Sequence, residues 1–138
     1  MKTQLENVKP KEIETRSFEI ITQELGDTKL VPGTELIVKR CIHTSADFDY
    51  AQNLCFSDGA VEKALAAVKN GACIVTDTQM AKAGINKKAL AKYGGEVYCF
   101  MSDEDVAAAA KAQGSTRAAA SMEKAAALGK SLIFAIGN

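Results

Sequence analysis

The sequence predicts an α/β protein built on a mainly parallel sheet. Three observations point there. Short apolar runs rich in β-branched residues recur along the chain, and stretches of helical periodicity separate them. Two of the runs, 72–76 (ACIVT) and 132–136 (LIFAI), are apolar at nearly every position. A strand apolar on both sides is one covered on both faces, as in a parallel sheet flanked by helices.

From the N-terminus, residues 10–25 (PKEIETRSFEIITQEL) read as a helix. Ile13, Phe18, Ile21 and Leu25 recur at helical intervals, Pro10 suits a first turn, and Gly26 ends it. A turn with Pro32 and Gly33 leads to 36–42 (LIVKRCI), β-branched and short, which is expected to be the first strand. A short helix over 46–55 follows. A second, over 59–69, has Ser57 or Asp58 available as its cap, and Asn70-Gly71 breaks it before the strand at 72–76. Helix returns over 80–84 and 87–93, Gly94-Gly95 stops it, and 96–100 (EVYCF) is the third strand. Residues 103–113 begin with acidic residues, favoured at the positive end of a helix dipole. After Gly114 a further helix runs over 116–128. Eleven of the 25 residues from 103 to 127 are alanine, the strongest helix former, which makes this pair the firmest helical expectation and implies close helix packing. Gly129 precedes the fourth strand, 132–136. The resulting expectation is one domain over 1–138: a three-layer α/β/α, doubly wound, flavodoxin-like sheet of four mainly parallel strands.

With 138 residues, 47% hydrophobic and 25% charged, the chain has the composition of an ordinary globular domain. By the usual scaling it folds to roughly 6,900 Å² of surface from about 21,000 Å², so a core needs no staple. Seventeen basic residues balance seventeen acidic ones, without the cationic excess that nucleic-acid or anionic-membrane binding requires. No apolar run reaches the length of a membrane span, and the start (MKTQLENVKP) lacks the apolar core of a signal peptide, so a cytoplasmic location is expected. Cys41, Cys55, Cys73 and Cys99 are 14, 18 and 26 residues apart, and there is one histidine, so neither paired zinc ligands nor a metal site is expected. Cys73 and Cys99 lie in apolar runs and read as small buried hydrophobes.

Ligands of open parallel sheets bind beyond the carboxyl ends of the strands. Those positions hold His43, Thr44 and Ser45 after the first predicted strand, and Thr76, Asp77, Thr78 and Gln79 after the second. Met101 to Asp105 follow the third, and Gly137 and Asn138 the fourth. Each has a plainer reading. His43 is either a catalyst or a structural hydrogen bonder, and Asp77 is either functional or a solvated loop carboxylate. Thr78, Ser102 and Asp103 suit helix caps. Arg117 stands at a helix start, where its charge opposes the dipole and favours a bound anion. No phosphate-cradling glycine loop and no G-x-S-x-G elbow occurs.

Residues 37–51, IVKRCIHTSADFDYA, resemble the signature of the precorrin-8X methylmutases, which include the cobalt-precorrin-8 methylmutases of cobalamin synthesis. The blocks IVTDTQMAKAGINK (74–87), VYCFMSDEDVA (97–107) and GSTRAAASMEKA (114–125), with SFEII (17–21) and AIGN (135–138), resemble the same family in the same order. The resemblance implies an isomerase that moves a methyl group between neighbouring carbons of ring C of a corrin precursor. It implies no cofactor, any cobalt arriving inside the tetrapyrrole substrate, and it implies homodimers with sites close to the subunit interface. His43 takes the place of the catalytic proton donor. Arg16, Ser17, Thr44, Thr78 and Arg117 are the substrate-binding candidates, and Lys39 and Arg40 either join them or are surface charges. In the family the chain continues past AIGN with an alanine-proline segment, a helix and a strand, so this sequence is expected to be C-terminally incomplete. Two other functions are kept: a non-catalytic corrinoid-binding protein of the same fold, and a structural or assembly subunit.

Overall fold

The computed structural model describes residues 7–137; Asn138 of the expected strand-end cluster lies outside the described residues. The described chain divides between Val61 and Glu62 into two compact units.

The first unit holds three helices: α1 (Ile13–Leu25), α2 (Glu35–Ser45) and α3 (Tyr50–Asn53). The expected helix at 10–25 is present, three residues shorter at its start. The expected first strand is not: 36–42 lies within α2. Burial shows why. Val38 and Ile42, four apart, are 2% and 1% exposed, whereas Leu36 and Ile37 are 72% and 39% exposed. One buried stripe with period four is a helix face, and it overrides the strand preference of β-branched residues. The helix also lacks a glycine stop. Ala46 ends it in the left-handed region at φ 57°, its N–H donating to Ile42 O at 2.7 Å. This conformation costs a non-glycine residue about 1–2 kcal/mol. Ile21 of α1 joins Val38 and Ile42 in a small core, flanked by half-buried Leu25, Leu30, Phe48 and Leu54.

The second unit carries the sheet. Strand β1 (Cys73–Thr76) lies between β2 (Val97–Tyr98) and β3 (Leu132–Ala135), in the order β2-β1-β3, and both pairings are parallel. The sheet of the described residues therefore has three strands rather than the expected four, because the segment assigned to the first strand is helix α2. Helix α4 (Ala60–Lys69) begins at the unit boundary, and α5 (Gln79–Gly84), α6 (Lys87–Ala91), α7 (Glu104–Gln113) and α8 (Arg117–Ala126) connect the strands. Thr78, Asn86 and Thr116 cap their helices, each side-chain oxygen accepting a backbone N–H three residues on. Asp103, also expected as a cap, instead accepts a hydrogen bond from Lys124 Nζ at 2.7 Å.

The alanines of α7 and α8 act as expected, with Val106, Ala110 and Ala120 buried together beneath Phe100. Gly95 is required where β2 begins, because an added Cβ would collide with the carbonyl of Ala72. Cys73 and Cys99 are buried. No helix among the described residues is long and apolar enough to cross a membrane.

Candidate active site

Helices α1 and α2 pack against each other and bring the only histidine of the sequence against Ser17. His43 stands in the last turn of α2, half-buried, not at the end of a strand. Its Nδ1 lies 2.7 Å from Ser17 Oγ. Phe18, the next residue of α1, packs edge-on against the imidazole with ring centroids 5.8 Å apart and an interplanar angle of 64°.

His43 and Ser17 line a pocket of about 380 Å³ together with Arg16, Ile13, Ile20 and Phe48. The contributions of α1 fall at 13, 16, 17, 20, 21 and 24, one face of a helix, and Ile42 and Ala46 join from the region of α2. The lining is mostly apolar, with His43, Ser17, Arg16 and Glu24 as its polar residues, the usual composition of a ligand site. A wider depression of about 520 Å³ runs along another side of α1, lined by Glu14, Thr15, Phe18, Glu19, Thr22 and Gln23. Its lining does not include the histidine.

Two ion pairs lie near the histidine. Arg16 Nη1 donates to Glu19 Oε2 at 3.1 Å. Arg40 Nη2 donates to Glu14 Oε1 at 2.6 Å, joining α2 to α1. The hydrogen bond and the charge of Arg40 hold the Glu14 carboxyl below its ordinary pKa, and the same bond raises that of Arg40. The Arg40 guanidinium also lies over Phe18, 5.2 Å from the ring centroid.

Of the six site residues named from the sequence, Arg16, Ser17 and His43 therefore meet in one pocket. Thr44 is adjacent to His43 in the chain but exposed, its Oγ1 donating to Arg40 O at 2.9 Å. Thr78 and Arg117 belong to the second unit. Thr78 Oγ1 accepts the Ala81 N–H at 3.1 Å, and Arg117 is the exposed first residue of α8. Asp77 is not a solvated loop carboxylate: it is 4% exposed at the end of β1 and accepts the Gly137 N–H at 2.9 Å. In the sequence Ile13 and Phe18 mark only the helical period of α1, and Glu14 carries no signal of its own.

Residues 12–138 match the model of the precorrin-8X methylmutase family. The chain is 42% identical over 131 residues to a cobalt-precorrin-8 methylmutase of Priestia megaterium, covering 95% of this chain and 58% of that protein. To the Salmonella typhimurium protein of the same name it is 43% identical over 135 residues, covering 94% and 64%. Among solved structures, the precorrin-8x methyl mutase of Thermus thermophilus superposes with a TM-score of 0.80 at 36% identity, covering 92% of this chain and 62% of that one. The chain thus spans about three-fifths of the length of these relatives.

Proposed function

From the premise that the chain belongs to the precorrin-8X methylmutase family, we propose that it catalyses intramolecular methyl migration on ring C of precorrin-8X or cobalt-precorrin-8. The product is hydrogenobyrinate or, with cobalt, cobyrinate. His43 is the proton donor. The observation that carries this is the 2.7 Å contact of His43 Nδ1 with Ser17 Oγ on the wall of an apolar pocket.

The chemistry follows from the two ring nitrogens. An imidazolium has a proton on each, so in that state Nδ1–H donates to Ser17 Oγ and Nε2–H is the transferable proton. Delivered to the ring nitrogen beside the migration site, it draws electron density from the conjugated system and assists the methyl in leaving one carbon for its neighbour. The nitrogen then returns the proton to Nε2. Atoms and charge balance, as an isomerisation requires.

About 380 Å³ lies at the low end of ligand-pocket volumes of about 300–1,000 Å³. It suits one pyrrole-derived ring with its substituents rather than a whole macrocycle. Arg16 at its rim supplies a cation for a carboxylate side chain of the substrate. Thr44 beside His43, and Thr78 and Arg117 in the second unit, are proposed as substrate contacts on the family resemblance alone. The working form is taken as a cytoplasmic homodimer, to be tested by light scattering. The sheet is taken as doubly wound and flavodoxin-like, with helices on both faces. The order β2-β1-β3 supports this, because right-handed crossovers made first to one side and then to the other lie on opposite faces.

Single-turnover absorption spectroscopy tests the function. Excess protein mixed with precorrin-8X, and separately with cobalt-precorrin-8, is expected to convert at least one spectrum to that of its product. Binding of both without conversion would overturn catalysis and leave a corrinoid-binding protein.

A further inference from the structure

We propose that Arg40 is a positioning residue for His43, acting through the ring of Phe18; the proposal rests on the reading of His43 as proton donor. The hydrogen bond between Ser17 Oγ and His43 Nδ1 fixes one point of the imidazole, and a ring held at one point remains free to tilt. Phe18 supplies the second point by its edge-on contact, 5.8 Å between centroids. Phe18 is itself only half-buried and borders the wide depression along α1, so one side of its ring has no core packing to hold it.

Arg40 supplies that hold. Its guanidinium lies 5.2 Å from the Phe18 centroid, within the range of a cation–π contact. Glu14 fixes the guanidinium in turn, 2.6 Å away. Glu14 and Phe18 are four apart on α1, and Arg40 and His43 three apart on α2, so each pair shares a helix face. The four side chains interleave across the helix pair in the order Glu14, Arg40, Phe18, His43. The Glu14–Arg40 ion pair is exposed and adds little to stability, as such pairs do. Its consequence is orientation. A tilted imidazole misdirects its proton, and misplacement of a reacting group by about 1 Å costs up to about a hundredfold in rate.

The single histidine makes the test direct, because all imidazole proton resonances belong to His43. Arg40→Met keeps the alkyl stem and removes the guanidinium, at an exposed position where folding is not at stake. At pH about 9, where an ordinary imidazole is neutral, the ring-current-shifted His43 resonances of the unliganded protein are expected to move toward free-histidine values in Arg40→Met. Arg40→Lys should shift them less. Single-turnover conversion should fall by about tenfold in Arg40→Met, with hydrogenobyrinate affinity within about twofold of the unmodified protein. Unmoved resonances would overturn the proposal, whatever the rate. So would moved resonances with an unchanged rate, or a parallel loss of affinity and rate, which would make Arg40 a substrate contact. If the unmodified protein converts neither substrate, the proposed function fails on its own, and the resonances still decide whether Arg40 holds the ring.

Discussion

The Ser17 hydroxyl and the His43 imidazole, 26 residues apart in sequence, meet at 2.7 Å because α1 and α2 pack face to face. A hydrogen bond of this kind contributes about 0.5–1.5 kcal/mol, and about 1.4 kcal/mol is tenfold in rate. Ser17→Ala is therefore expected to slow single-turnover conversion by about two- to tenfold, with Ser17→Thr recovering most of it. Measured rates equal in all three proteins would show that the hydroxyl does not orient the ring.

The same helix pair stands on a small core. Ile42 is 1% exposed and directly precedes His43. Ile42→Ala should lower the unfolding free energy by about 2–5 kcal/mol and Ile42→Val by about 0.5–1.5 kcal/mol. Urea titration measures both. A loss below about 1 kcal/mol for alanine would mean the α1–α2 contact is not a cooperative core.

In the second unit, Asp77 ties the end of β1 to the chain leaving β3 through the Gly137 N–H. Asp77→Ala removes a charge-assisted bond at a buried position and is expected to cost about 1.5–3 kcal/mol. Asp77→Asn keeps an acceptor oxygen and should cost less. Equal losses in the two variants would assign the effect to charge rather than to the Gly137 bond.

The ion pairing between the start of α7 and the last turn of α8 predicts a pH dependence. Lys124 Nζ lies 2.7 Å from both Asp103 Oδ2 and Asp105 Oδ2. The hydrogen bond from Lys124 lowers the Asp105 pKa, while Asp103 and then Asp105 raise that of Lys124. A lowered carboxyl pKa means stability fully present above the unfolded-state value and lost as pH falls through the folded one. A raised amine pKa means stability present below the unfolded value and lost as pH rises through the folded one. The pair should thus act from below the ordinary carboxylate range to above the ordinary lysine range. NMR titration should find Asp105 below its usual value and returned to it in Lys124→Met; an Asp105 titration unaltered by that substitution would refute the pairing.

Much of the second unit was legible in the sequence. The runs at 72–76 and 132–136 gave strands because their residues are apolar on both sides, and the glycines at 114 and 129 marked real turns with positive φ. Residues 36–42 misled because β-branched content was weighed above spacing. The buried positions 38 and 42 are visible as a helical pair only once Ile21 is known to cover them. His43 stands out in the sequence by its rarity and by the family resemblance, yet it lies in the last turn of a helix rather than at the sheet edge the strand assignment implies. Phe18, Glu14 and Arg40 could not be joined to it from sequence, since their relation exists only through the packing of two helices.

The most direct measurement is the absorption change of precorrin-8X or cobalt-precorrin-8, whichever the unmodified protein converts, after rapid mixing with excess His43→Ala protein. With the proposed proton donor gone, the substrate spectrum is expected to persist while the corrinoid remains bound; conversion at the unmodified rate would contradict the account.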